Sequence, residues 1–433
     1  MIQKMKGTYD LYEDMPYMQE IEKKIMTVSK LFQYNEIRTP HFESSELFHR
    51  GVGESTDIVS KETYDFIDRG NRSNTLRPEG TAGIVRAYIE NKLYAERITP
   101  HKFYYLGSMF RYERPQKGRF REFIQFGAEA FGSDRPEMDA EIIAYAVTLL
   151  KSLKLKGITV YVNSLGDKDS KPAYHKALKA HLKDSVKSLC GDCQKRYEDN
   201  PLRILDCKVD QEHEAIKTAP KPIEYLTKED KEHFDKVCQY LDAMQINYEI
   251  DSNLVRGLDY YTHTVFEIKV SKELLGNQNT ICGGGRYNHL VETLDGPPTP
   301  AVGFGFGLER VIVAMKAANL LKVEPYLHTY FLVLGDEART EAMAIMQRLR
   351  LGGITSNMDY LNKSMKAQFK QSDYQNARFI VIIGEEEIKS ETVNLKDTLT
   401  KESLSIPIND IYVTIVDRLT TKTTCEDCEH KGE

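Results

Sequence analysis

The stretch LVRGLDYYTHTVFEI, Leu254–Ile268, sets an arginine, an aspartate and two adjacent tyrosines at the start of an apolar run. Residues 262–268 predict a strand, because β-branched and aromatic side chains suit a pleated, half-buried surface. Arg256, Asp259, Tyr260 and Tyr261 do not belong to that strand but stand at its lip. A guanidinium so placed can meet an anionic ligand. It can also pair with Asp259 or another carboxylate and simply hold the turn.

A second group of chemically able residues lies between His101 and Gly132, where two apolar, aromatic segments surround the charged centre RYERPQKGRFRE. That pattern predicts an antiparallel pair of strands joined by a long loop. Arg121, Phe123, Gln125, Gly127 and Glu129 alternate, so a strand puts them on one face, and Met109, Arg111 and Glu113 share a face likewise. If the two faces coincide, an arginine, a glutamine and two carboxylates converge on one apolar-walled surface. Such groups are seldom buried without partners, so the surface calls for a ligand or for salt bridges. A solvated sheet face is the plainer alternative. Gly127 favours the ligand, because a bare position in mid-strand admits close approach.

In AVGFGFGLERVIVAM, Gly303, Gly305 and Gly307 leave one strand face bare, where a flat ring could lie, and Arg310 opens an apolar helix. An anion at that helix N-terminus would meet the arginine as well. The spacing is not the dinucleotide fingerprint, and no phosphate-loop lysine motif is present. In TLRPEGTAGIVRAY, Glu79 follows Pro78 and precedes a helical pattern from Ala82 to Tyr88. It reads either as a helix cap or as a carboxylate displayed at a loop tip. Cys190 and Cys193 form a C-x-x-C with Cys207 further on, and Cys425, Cys428 and His430 form a second cluster. Neither has standard spacing to a fourth ligand, so no metal is assigned to protein side chains. No Ser-His-Asp or Cys-His arrangement is defensible from spacing.

These groups need elements to position them. At 433 residues the chain has room for two or three domains, and 41% hydrophobic with 29% charged residues describes an ordinary globular protein. No window of about 18 apolar residues predicts a membrane span. The start, MIQKMKGTYDLYEDMP, has no apolar core of a secretory signal, and seven cysteines make an odd number, so a reduced, cytoplasmic protein is expected. A net charge of −6 leaves nucleic-acid binding to local patches, of which Arg111–Glu122 is one candidate and a solvated hairpin tip the plain alternative.

Met18, Ile21, Ile25, Val28 and Phe32 recur in steps of three and four, predicting an amphipathic helix. IRTPHFE, at Pro40, predicts a strand after it. Residues 167–225 are Lys-rich and end in TAPKPIEY, predicting a mostly helical insertion. Beyond Pro325, TYFLVLG and RFIVIIGEEE predict strands, and Ala338, Ala342, Ile345, Met346 and Leu349 share a helical face, so 327–420 reads as an α/β domain. Residues 421–433 are polar and are expected to be flexible.

Taken together, these segments resemble the class II aminoacyl-tRNA synthetases. NEIRTPHFE is similar to their motif 1, FRYERPQKGRFREFIQFGAEAFG to motif 2 and GFGFGLERV to motif 3. The block LVRGLDYYTHTVFEI resembles one peculiar to the bacterial-type histidyl-tRNA synthetase family, and the likeness runs from KGTYDLYEDM to IYVTIVDRL. The resemblance implies an α/β fold with an α+β core: an antiparallel class II sheet flanked by helices over 1–166 and 226–324, a helical insertion over 167–225, and an anticodon-binding domain over 327–420. It implies activation of L-histidine by ATP, with Mg²⁺ accompanying the nucleotide, and transfer to the 3′ end of tRNA(His). It also implies a cytoplasmic homodimer joined through motif 1, with no membrane association.

Carried over by position, Glu79, Gly80 and Thr81 would hold the α-amino group, with Gln125 bridging to the carboxylate. Glu129 and Tyr261 would bracket the imidazole and Tyr260 would wall it, so the turn near Gly257 must be irregular for both tyrosines to face one pocket. Arg111, Arg256 and Arg310 would be catalytic, the first two also touching histidine, with Glu113 and Arg119 joining Arg111 and Arg310 around ATP. Arg114 and Gln116 would read the extra 5′ guanosine of the tRNA. The competing relative is the silent paralogue that regulates ATP phosphoribosyltransferase. It lacks the terminal domain and has eroded reactive positions, whereas Arg111, Arg256, Arg310 and that domain are present here. A plain RNA-binding or scaffold protein would not need Glu79, Gln125 and Glu129 together.

Overall fold

Helix Met15–Leu31 buries Met18, Ile21, Ile25 and Val28 on one face, as its three-and-four spacing predicts. That face packs on helix Pro136–Ser152, where the Ser29 hydroxyl also meets the Tyr145 hydroxyl at 2.5 Å. The computed structural model describes residues 1–54, 56–116, 118–207, 209–276, 279–320 and 327–420. The chain divides into two compact units, residues 1–321 and 322–433.

In the first unit the strands are β1 (Asn35–Glu36), β2 (Phe42–Ser44), β3 (Tyr64–Ile67), β4 (Ser73–Leu76), β5 (His101–Phe110), β6 (Glu122–Phe131), β7 (Thr159–Ser164), β8 (Tyr248–Ile250), β9 (Thr262–Lys269), β10 (Thr280–Arg286) and β11 (Ala301–Gly307). Eight of them form one sheet in the order β1-β5-β6-β11-β10-β9-β7-β8. Its central pairs are antiparallel, and only the edge strands β1 and β8 pair in parallel. Phe126, Ala128, Val162, Phe266, Val302 and Phe304 belong to the main core, which they share with helices Met15–Leu31, Pro136–Ser152 and Lys228–Ala243. The alternate positions face the other way.

IRTPHFE is not one strand. Pro40 separates β1, which joins the large sheet beside β5, from β2, which joins a small antiparallel sheet with β4 and β3. A proline offers no N–H to a ladder, so the chain changes sheets across it.

Residues 170–225 form helices Ser170–Leu182 and Gly191–Asp199 with several short helical turns. Their core, including Leu178, Leu182, Cys193 and Ile204, continues onto Leu254, Val255 and Tyr261.

In the second unit, β12 (Thr329–Val333), β13 (Ser356–Met358), β14 (Phe379–Ile383), β15 (Thr392–Asp397) and β16 (Ser403–Pro407) form a sheet in the order β13-β12-β14-β15-β16. The first three strands are parallel and the last two antiparallel. Helix Asp336–Leu351 buries Ala338, Ala342, Ile345, Met346 and Leu349. Among the described residues no helix is long and apolar enough to cross a membrane. Residues 421–433, with Cys425, Cys428 and His430, lie outside the described residues.

Candidate active site

Strand register builds the site. One row of paired residues crosses five strands as Tyr105, Gly127, Gly305, Gly283 and Glu267. The next row runs Phe103, Glu129, Gly303, Gly285 and Val265. Five of these ten positions are glycine, so the sheet carries a basin in its middle. It opens into a cavity of about 520 Å³ lined by the proposed residues Glu79, Thr81, Arg111, Glu113, Arg119, Gln125, Glu129, Arg256, Tyr260, Tyr261 and Arg310.

The bare positions are only partly open, which corrects the reading from spacing. The ring of Tyr105 lies over Gly127, so close that a Cβ there would sit 2.3 Å from it, and the same ring crowds Gly80 at 2.2 Å. Glu129 fills the space at Gly303, where a Cβ would stand 1.6 Å from its Oε2. A flat ligand therefore has room only toward Gly305 and Gly307, where the nearest side-chain atoms to an added Cβ are 3.2 and 3.7 Å away. The Arg256 guanidinium lies over Gly283, 2.3 Å from where a Cβ would be.

Glu129 is anchored at both carboxyl oxygens. The Tyr287 hydroxyl donates to its Oε2 at 2.5 Å and the Thr81 hydroxyl to its Oε1 at 2.8 Å. Burial pushes its carboxyl up to about 8, against the pull of those two donors. Glu79 is both things the sequence allowed. Its two oxygens accept from the backbone N–H groups of Thr81 (2.7 Å) and Ala82 (2.8 Å), capping helix Thr81–Glu90, and it also lines the cavity. Burial raises its pKa although the N–H groups oppose that. Gln125 accepts from the Tyr105 hydroxyl at 3.4 Å.

The turn before β9 is irregular, as two tyrosines on one side require. Residues 251–261 form no strand, and the Tyr260 and Tyr261 rings stand 4.8 Å apart on the same cavity. Burial raises the pKa of both phenols above the ordinary tyrosine value, so both hydroxyls keep their protons. Arg256 does pair with a carboxylate, but with Glu267 rather than Asp259. Burial alone would lower its pKa, and Glu267, together with Tyr261 and Asp206, more than reverses that. Asp259 instead accepts from the Asn200 side chain at 2.7 Å, and Lys171 donates to the Asp259 and Tyr261 carbonyls at 3.4 and 3.1 Å.

At the other end of the cavity Arg111 donates to the Pro78 carbonyl at 2.8 Å and lies over the Phe123 ring. Arg119 approaches Glu113 at 3.5 Å, and Arg310, in the first turn of helix Leu308–Ala317, is held below the usual guanidinium range by burial and then by Arg119. Three guanidiniums clustered at one end of the cavity favour an anion there. Arg121 departs from the shared-face reading. It precedes β6, stacks on the Tyr112 ring at 3.7 Å and does not line the cavity. Arg114 and Gln116 are exposed on the loop, which closes on itself through paired backbone hydrogen bonds between Gln116 and Arg119.

Tyr105, Glu267 and Tyr287 were missed from sequence. The one signal was the run Gly283–Gly285 just before Tyr287, since consecutive glycines in a strand mark close approach by other groups. Asp206, which also lines the cavity, gives no such signal.

An antiparallel sheet with an arginine-rich cavity, fed by a long strand–loop–strand and a glycine-alternating strand running into a helix, defines the catalytic domain of a class II aminoacyl-tRNA synthetase. The family model for histidyl-tRNA synthetase matches residues 10–311, and that for the anticodon binding domain matches residues 328–418. Histidine–tRNA ligase 1 of Shouchella clausii (strain KSM-K16) is 49% identical over 412 residues, 95% of this chain and 97% of that protein. Histidine–tRNA ligase of Bacillus subtilis (strain 168) is 48% identical over 407 residues, 94% and 96% of the two chains. The crystal structure of apo S. aureus histidyl-tRNA synthetase superposes with a TM-score of 0.82 at 38% identity, covering 96% of this chain and 100% of that one. The chain belongs to the histidyl-tRNA synthetase family.

Proposed function

We propose that the cavity activates L-histidine with ATP to histidyl-adenylate and then passes histidine to the 3′ end of tRNA(His). The observation that carries this is a buried, doubly anchored carboxyl, Glu129, sharing one cavity with Tyr261 and with four arginines. Two chemistries are thereby available in one space: a polar floor for a ring with two nitrogens, and a cationic wall for phosphates.

In this reading the imidazole lies between Glu129 and Tyr261, walled by Tyr260, over the open part of the glycine basin. The α-amino group goes to Glu79 and Thr81 near Gly80, with Gln125 between it and the carboxylate. The reaction is in-line attack of that carboxylate on the α-phosphorus, with pyrophosphate leaving. Repulsion between two anions is the barrier, and fixed cations aimed at the phosphate lower it where charge develops. Arg256 serves the α-phosphate, where its pairing with Glu267 pre-orients the guanidinium. Arg111, Arg119 and Arg310 serve the other phosphates. Mg²⁺ arriving with ATP would neutralise phosphate charge, and Glu113, 3.5 Å from Arg119, is a cavity carboxylate that suits it.

Transfer to tRNA is assigned to other elements of the chain. The exposed Arg114 and Gln116 read the extra 5′ guanosine, residues 167–225 embrace the acceptor stem, and residues 327–420 meet the anticodon. A cytoplasmic homodimer through motif 1 completes the reading. It is supported by exposed apolar side chains on the small sheet beside that motif, Phe42 at 54% and Ile67 at 62%. The silent regulatory alternative is disfavoured by the intact arginine set and the terminal unit.

Aminoacylation of tRNA(His) transcripts with and without the extra 5′ guanosine tests this function. Charging of the complete transcript, with a steep loss when the guanosine is missing, is expected. Absence of any histidine transfer by folded protein would exclude it.

A further inference from the structure

The cysteines left unassigned by spacing acquire a fourth partner in the fold. Cys190, Cys193, Cys207 and Asp210 bring one ligand atom each to within 4.8 Å of one another. Cys193 and Cys207 are buried, and Cys190 and Asp210 are half-buried. The Cys190 and Cys207 sulfurs are 3.7 Å apart, and the Cys207 sulfur is 3.6 Å from Asp210 Oδ2. A tetrahedral zinc centre with bonds of about 2.3 Å to sulfur and about 2.1 Å to oxygen has S···S and S···O edges of about 3.8 and 3.6 Å. The protein therefore already holds two edges of that tetrahedron. A disulfide does not describe the pair, since its sulfurs would lie about 2.05 Å apart.

The backbone supports the same reading. Cys190 precedes helix Gly191–Asp199 in extended conformation and Cys193 lies in its first turn, so both sulfurs come from one short C-x-x-C corner. The Cys190 N–H donates to Asp210 Oδ2 at 2.9 Å, orienting the carboxylate, and the Asp210 N–H donates to the Cys207 sulfur at 3.4 Å. Donors of this kind fix ligands in place and favour the thiolate a metal needs.

We propose that Cys190, Cys193, Cys207 and Asp210 form a structural site for a thiophilic divalent cation of the zinc class. Binding releases thiol protons to solvent and clamps helix Gly191–Asp199 to Cys207 and Asp210. The segment between the clamps does the work of a buttress. Asn200 holds Asp259 at 2.7 Å, the Arg203 guanidinium donates to Asp57 at 3.1 Å, and Asp206 lines the catalytic cavity. The ion thus stiffens the base on which Arg256, Tyr260 and Tyr261 stand.

The test is metal analysis of the full-length protein, followed by removal with a chelator and a thiol-modifying mercurial, reduction, and titration with Co²⁺. Expected are one zinc ion per chain as purified, and Co²⁺ spectra with thiolate charge-transfer bands and intense tetrahedral d–d bands. Cys193→Ser and Cys207→Ser lose the ion, Asp210→Asn shifts the d–d bands, and Cys238→Ala, on helix Lys228–Ala243, changes neither. Protein free of metal that also fails to take up Co²⁺ after reduction would overturn the proposal without need of any variant. So would a metal content abolished by deleting residues 421–433, or a Cys190–Cys207 disulfide in the purified protein. A further arm rests on the histidine-activation reading: stripped protein should melt lower and need several-fold more histidine, with the ATP requirement less changed. Failure of that arm alone, with the ion and its spectra present, would reject the buttressing role and leave the site.

Discussion

At the scale of single residues, the proposed reaction would have Glu129 carry amino-acid choice and Arg256 carry rate. If Glu129 gives up its proton on meeting a ring N–H, Glu129→Gln replaces a charge-assisted bond by a neutral one, worth roughly 1.5–3 kcal/mol before the cost of that ionisation below about pH 8. The histidine requirement in exchange kinetics should rise well beyond the ATP requirement, and an unchanged histidine dependence would remove Glu129 from the pocket. Stability gives an independent reading. The folded-state carboxyl titrates near 8 instead of the ordinary 4.5, so between those values the folded state holds a proton that the unfolded chain has released. Stability from this group is therefore lost as pH rises through that window, and above about 8 the cost is complete. Melting curves should show Glu129→Gln gaining on the native protein as pH rises, in the absence of ligands. Arg256 poses the harder question, because its pair with Glu267 gives it a structural role as well. Both side chains keep about a fifth of their exposure, 22% and 18%, so orphaning Glu267 costs about 3 kcal/mol, the low end for buried pairs. Arg256→Ala should also slow single-turnover adenylate formation by about 10²–10³-fold. Adding Glu267→Gln removes the orphaned carboxylate and should return the melting temperature without returning the rate. Recovery of both together would make Arg256 a structural residue only.

At the scale of elements, the site is a property of strand register. Gly303→Ala on β11 would put a methyl into the Glu129 carboxyl, 1.6 Å from Oε2, so either the floor is displaced or the strand shifts. Overpacking of this kind costs about 1–3 kcal/mol, and the histidine requirement should rise as steeply as in Glu129→Gln. The exposed loop behaves differently: Arg114→Ala with Gln116→Ala should leave pyrophosphate exchange intact and lower charging, as rapid measurement of both half-reactions would show. Much of this scaffold was legible in the sequence. The Met15–Leu31 helix, the helix after Glu79, β9 and the Asp336–Leu351 helix follow directly from periodicity, and the motifs named the cavity residues. What was not legible is whatever depends on pairing between distant strands. Gly127 and Gly303 read as open space because the sequence does not say that Tyr105 and Glu129 lie across them. The same holds for Tyr287 on Glu129, Glu267 on Arg256 and Asp210 beside the cysteines. Pro40 misled in a smaller way, ending one ladder and letting the next begin elsewhere.

At the scale of the whole molecule, every group assigned to chemistry lies in the first compact unit, residues 1–321, while the matched anticodon binding domain lies in the second. A chain ended near Lys322 should retain histidine-dependent exchange and lose most charging of tRNA. Equal loss of both in a folded fragment would refute that division of labour. The net charge of −6 belongs to the same scale. Of the basic residues around Arg111–Glu122, Arg111 and Arg119 turn inward to the cavity and Arg121 is stacked on Tyr112, so the proposed tRNA contact at that loop would fall to exposed Arg114. The most direct measurement is ATP–pyrophosphate exchange by the full-length protein with histidine and, separately, with each other amino acid. Exchange is expected with histidine and should fall by roughly 10⁴-fold or more with amino acids that leave Glu129 and Tyr261 unpaired. Folded protein that exchanges no pyrophosphate with histidine, or exchanges equally with an amino acid lacking ring nitrogens, would contradict activation of histidine in this cavity.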